Sequence, residues 1–297
     1  MAVAETPISV TDHPGVEHEH EEAPARRGRW RRSLGVAVPG GMVALIVAAC
    51  FLGPVLFDLP SPVGGNILES YLPAFSPGHL LGTDPNGNDI LSRLLYGGRA
   101  SLFIALAVNV LGLVVGGTLG ALSGYLGGVV DTVIMRVLDV LIAFPSLVLT
   151  LAVAQALGPS MRNTIFALAF FSIPAFARVA RSAVLRLREM PFMAAAQLCG
   201  TPAWRVLFKH LAPNTAPQLI TFGMLGMGIV IIIEGALSFL GLGIPDPAPS
   251  WGNMVATGQL SLSATPMLVV WPSLALLVTV LSFNLLGENL RARWSGR

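Results

Sequence analysis

The sequence predicts an all-α integral membrane protein with six transmembrane helices. Three observations predict it. Of 297 residues, 54% are hydrophobic and only 11% are charged, where a soluble domain has about a quarter charged. The chain divides into six apolar segments, each near the ~20 residues that cross a bilayer as a helix. Its cations also gather on alternate stretches between those segments, the pattern by which Lys and Arg orient membrane proteins.

Residues 1–35 are polar. "EHEHEEAPARRGRWRR" is an acidic, His-rich patch followed by five arginines. It reads as a disordered tail ending at a membrane-surface anchor. His18–Glu22 spells HEHEE, which lacks the H-E-x-x-H spacing of a zinc protease. A solvated tail is preferred to a metal site there.

The first segment spans 36–57. Val47–Cys50, "VAAC", resembles a lipoprotein cleavage box. The long polar tail ahead of it and five further spans favour an uncleaved helix. Residues 58–100 form a loop on the far side of the membrane. The second segment, 101–122, carries Gly112, Gly116 and Gly120, with Gly124 and Gly128 continuing the spacing into "SGYLGG". Residues four apart share a helix face, and a glycine face admits a second backbone closely.

The third segment, 133–157, has Asp131, Arg136 and Asp139 at its start. Arg136 and Asp139 are three apart and pair on one face, as a structural pair rather than a transport site. Pro145 kinks this helix. The fourth segment, 163–180, is interrupted by Pro174 and ended by Arg178. The fifth, 217–241, contains Glu234, and a buried intramembrane acid is functional by default. Arg99 opens the second span at the same level, so the two are expected to pair. The competing reading is a proton-coupling acid. The sixth segment is 267–287, and residues 291–297 form a C-terminal tail.

Fourteen of the eighteen cations fall on one side: the N-terminal tail, residues 178–209 and the C-terminal tail. Both termini and the 181–216 loop are therefore expected in the cytoplasm.

Several function classes are excluded. A net charge of +2 is too small to suggest nucleic acid. Cys50 and Cys199 are too isolated for a disulfide framework. No G-x-x-x-x-G-K-[ST] phosphate loop exists, and the only lysine is Lys209. No G-x-S-x-G elbow or metal-ligand spacing is present. The chain is expected to be non-catalytic and to hold no cofactor or metal. Any ATP that drives it must be bound elsewhere.

The 181–216 loop contains "PFMAAAQLCGTPAWRVLFKHLAPN" (191–214). Pro191 suits a first helical turn, with Glu189 beside it near the positive dipole end. Phe192, Ala195, Ala196 and Cys199 share one face. Gly200 suits a left-handed cap. Thr201 is expected to cap a second helix begun by Pro202. Trp204, Leu207, Phe208 and Leu211 form its face, Arg205 and Lys209 give it charge, and Pro213 follows its stop. This corner lies on the membrane surface or docks into a cytoplasmic partner. Its tight tether and few charges argue against a DNA-binding helix-turn-helix.

Ala195, Ala196 and Gly200 match the spacing of the EAA motif of ABC-importer permeases, whose usual Glu is Ala194 here. "HLLGTDPNGNDILSRLLYGGRASL", "ALSFLGLGIPDPAPSWGNM" and "FNLLGENLRARW" also resemble the C-type permease of dipeptide, oligopeptide and nickel importers, over about 79–294. The resemblance implies a type I importer-permease fold in a bacterial inner membrane, with core 101–290. It implies a second permease, two cytoplasmic ATPases that bind ATP and Mg, and an extracytoplasmic binding protein. The 181–216 loop would couple to an ATPase, and the two loops flanking the first and fifth spans would receive the binding protein or form an outer gate.

Overall fold

The computed structural model describes residues 27–295. Among them it is helical, and only two isolated bridges, Ser76 with His79 and Thr83 with Asp89, have a strand-like pattern. Residues 1–26, including the His-rich patch, lie outside the described residues.

Helix α1 is Arg27–Leu56, so helix replaces the last part of the expected polar tail. Helix α2 runs Ile90–Leu126, with a π-helical turn at Gly112–Gly116. It starts well before residue 101. The side chain of Asp89 caps it by accepting from the Ser92 amide at 2.7 Å. Arg93 and Arg99, which made this stretch look extramembrane, each have partners described below.

Helices α3 (Gly128–Ile142) and α4 (Ser146–Leu157) are the two halves of the third segment. They meet at an angle of 83°. Pro145 is a break here rather than a kink, because it opens α4 with extended backbone (ψ 123°). Helix α5 is Met161–Arg188. It runs through Pro174 and beyond Arg178, since carboxylates on α3 compensate its internal arginines. Helix α6 is the short Pro191–Leu198.

Helix α7 is Ala203–Phe239, one continuous element. Pro213 therefore does not follow a stop. The π-helical turn Val206–Leu211 widens the helix just before the proline ring, which would otherwise meet the carbonyl four residues back. Helix α8 is Trp251–Gln259. Helix α9 is Met267–Ser295, so the expected C-terminal tail is also largely helical.

Among the described residues, five helices are long and apolar enough to cross a membrane, and there are six if the bent α3–α4 pair counts as one span. The helices run up and down between two ends. The basic end holds the α2–α3 turn, α6 and the start of α7. The loop end holds 57–89, 240–250 and α8. The main core lies toward the loop end, with Ile104, Val108, Leu168, Ile231 and Trp251 buried together. A smaller core at the basic end holds Val184, Met193, Val206 and Leu211.

The glycine stripe explains how α2 meets α5. A Cβ on Gly112 would strike Ser172 and Phe176, one on Gly116 the carbonyl of Ile173, and one on Gly120 the carbonyl of Ala177. Gly124 continues the face against the Arg181 carbonyl and Val184. It is helical, because α2 ends only at Leu126, before Gly127 at φ +67°.

Candidate functional site

At the basic end, α6 and the first turns of α7 form a corner. Its turn is a helix C-cap: Gly200 has φ +66°, and the Thr201 amide donates to the Ala196 carbonyl at 3.1 Å. That is the six-residue closure of a Schellman cap, with glycine at the left-handed position. Thr201 does not cap α7, whose start has no side-chain cap bond. The cap residue there is Pro202, whose carbonyl receives the Arg205 amide at 2.9 Å.

The corner is fixed to the bundle through few side chains. Met193 is fully buried against Val184, Val206 and Leu211. The expected face of α6 is therefore rotated: Phe192, Ala195 and Cys199 are exposed and Ala196 half-buried. The expected face of α7 also divides. Leu211 faces inward and Leu207 is half-buried, while Trp204 is 60% and Phe208 72% exposed. Arg205 lies over the Trp204 ring at 5.3 Å. Glu189 and Lys209 are exposed. The result is a capped corner with an exposed apolar and charged surface.

The loop end carries a second constellation, whose buried bonding the sequence reading missed. Asp84 of "GTDPNGND" accepts from the Asn86 amide at 2.8 Å and the Asn88 amide at 2.9 Å. Arg93 reaches it at 3.3 Å with both side chains buried. The same guanidinium donates to the Pro62 carbonyl at 3.1 Å and the Pro247 carbonyl at 3.4 Å. The two loops are thus tied by one arginine. Trp251 adds an indole bond to the Leu94 carbonyl at 2.9 Å. A turn acid nine residues ahead of a lone arginine was the available sequence signal.

Arg99 does not pair with Glu234. Its Nε donates to the Cys50 carbonyl at 2.6 Å and its Nη2 to the Phe51 carbonyl at 2.8 Å. The cause is Pro54, inside α1. Proline has no amide hydrogen, so the carbonyl four residues back needs another donor. Glu234 is fully buried and accepts from the Ser238 hydroxyl at 2.7 Å. The hydroxyls of Ser101 and Ser250 also face it, but only the Ser238 bond closes to hydrogen-bond geometry. Glu234 therefore bonds within α7, with no ion pair among the described residues.

Arg136 and Asp139 do not pair either. Asp139 binds Arg178 of α5 at 2.7 Å. Asp131 takes Nε and Nη2 of Arg181, both at 2.6 Å, and a hydroxyl bond from Ser123. A pair within one helix loses here to cross-helix partners, because α5 brings two guanidiniums opposite α3.

Residues 116–295 match the family model for "Binding-protein-dependent transport system inner membrane component". The chain belongs to this family of importer permeases. The permease is 40% identical over 267 residues to "Glutathione transport system permease protein GsiD" of Pectobacterium atrosepticum, covering 88% of each chain. It is 39% identical over 213 residues to "Dipeptide transport system permease protein DppC" of Alkalihalophilus pseudofirmus, covering 72% of this chain and 70% of that one. It is also 39% identical over 216 residues to "Probable D,D-dipeptide transport system permease protein DdpC" of Escherichia coli, covering 73% and 72%. It is a multi-pass membrane protein of all-helical permease fold.

Proposed function

We propose that this permease carries short peptides inward as one subunit of an ATP-driven importer. It pairs with a second permease, two cytoplasmic ATPases that hold ATP and Mg, and an extracytoplasmic binding protein. Both termini and the basic end face the cytoplasm, as the cation bias requires.

The observation that carries the coupling role is the corner at Gly200. It is anchored by buried Met193 and leaves Phe192, Trp204 and Phe208 exposed. A surface of that kind suits insertion into a partner's cleft, with exposed aromatics as binding anchors. Ala195, exposed, and Ala196, half-buried, allow close approach, while Glu189, Arg205 and Lys209 supply the polar contacts left vacant by Ala194. Movement of the ATPases then displaces the corner and shifts the spans between two arrangements. The loops tied by Arg93 make the landing surface for the binding protein. The relatives named for dipeptide and glutathione transport support a peptide substrate.

The test is reconstitution of the assembled importer with its binding protein. Labelled dipeptides and tripeptides should enter the vesicles and accelerate ATP hydrolysis. Acceleration by nickel ions with no response to peptides would overturn the substrate. Uptake by this chain alone in an ion gradient would overturn the coupling.

A further inference from the structure

Between α3 and α5 lies a cavity of about 490 Å³ lined by Asp131, Arg136, Asp139, Arg178 and Arg181, with Thr132 beside them. Both carboxylates are already engaged, Asp139 by Arg178 and Asp131 by Arg181. Arg136 forms no ion pair among the described residues, so the cavity holds three cations against two anions. Arg136 stands eight residues into α3, which begins at Gly128, or ~12 Å from its basic end. Charges on a spanning helix mostly face a water-filled path or another protein rather than lipid. Only Leu138 of α3 is buried, which leaves the face bearing this cavity open.

We propose that this cavity is an anion site in the import path, where Arg136, with Arg178 beside it, receives the carboxylate of a peptide in transit. The proposal rests on the peptide-import reading above. The two ion pairs have a definite part in it. They hold Arg178 and Arg181 in place and cancel two charges, so a passing carboxylate meets one net positive charge. A transport site must bind firmly enough to admit its solute and weakly enough to release it. A lipid phosphate has the same chemistry, and the experiment separates the two.

The experiment uses the assembled importer in vesicles, with Thr132→Cys introduced and Cys199→Ser removing the exposed native thiol. Modification rates are measured for an anionic and a neutral thiosulfonate of similar size, each relative to a free thiol. The anionic reagent should react roughly tenfold faster, the low end of electrostatic focusing in a charged cleft. Arg136→Gln should bring the two rates together and leave the neutral rate unchanged. Arg136→Lys should keep the difference. A dipeptide delivered by the binding protein under ATP turnover should slow the anionic reaction, and its C-terminal amide should not. Equal rates for the two reagents overturn the site. Protection by phosphatidylglycerol but not by peptide makes it a lipid site and overturns the proposal. No reaction with either reagent closes the cavity under the partner permease and also overturns it. If wild-type vesicles take up no peptide but the rate difference persists, the peptide reading fails while the anion site stands.

Discussion

Glycine has two different duties in this permease. At Gly116 the constraint is space: a Cβ would land on the Ile173 carbonyl of α5. Gly116→Ala should therefore force α2 and α5 apart at a cost of about 1–3 kcal/mol, as overpacking does. Thermal unfolding of the detergent-solubilised importer should report a lower midpoint, and an unchanged one would refute the contact. At Gly200 the constraint is conformation, since nothing lies within 4 Å of a Cβ there but φ is +66°. Proline fixes φ near −65°, so Gly200→Pro must open the corner. Uptake should disappear while membrane insertion persists. The glycine spacing was readable from sequence because period four is local. That Gly124 continues the stripe was not, because it depends on where α2 ends.

Among the elements, the two loop-end segments are the most dependent on one side chain. Arg93→Ala would leave Asp84 buried without its counter-charge. Breaking one side of a buried pair costs about 3–5 kcal/mol. Protease should then cut within 58–89, and ATP hydrolysis should lose its response to the binding protein. A loop that stays protected would show the clamp to be dispensable. The spans themselves were legible from hydropathy. Their starts and the ion pairs were not, because these depend on partners distant in sequence. Arg99 was matched to Glu234 by depth alone, whereas a proline in α1 decides its bonds. Arg136 was matched to Asp139 by spacing alone, whereas α5 offers closer cations. Helical periodicity placed the outward faces of α6 and α7 only partly. It missed Met193, whose burial follows from how the corner folds back on α5.

For the molecule as a whole, orientation has a simple native probe. Cys199 is exposed on the corner and Cys50 is buried. A membrane-impermeant maleimide should label Cys199 in inverted vesicles stripped of the ATPases and leave it untouched in intact spheroplasts. Labelling only from the outside would reverse the assigned topology. The cation count proposes this topology without any structure, since it sums over the chain and needs no contacts. Subunit contacts, in contrast, need the other chains, and one chain's sequence does not name them.

The 37 residues of α7 make one strut about 55 Å long. Trp204 stands at one end of it, and Glu234, with its ring of hydroxyls, stands near the other. Thrust on the corner therefore needs no relay of side chains to reach the opposite membrane face. The helix departs from regular geometry in one place, the wide turn at 206–211, with Pro213 and Pro217 following it. If the corner is driven as proposed, stiffness at that spot, more than the strength of the grip on the corner, sets how much movement arrives at the far end.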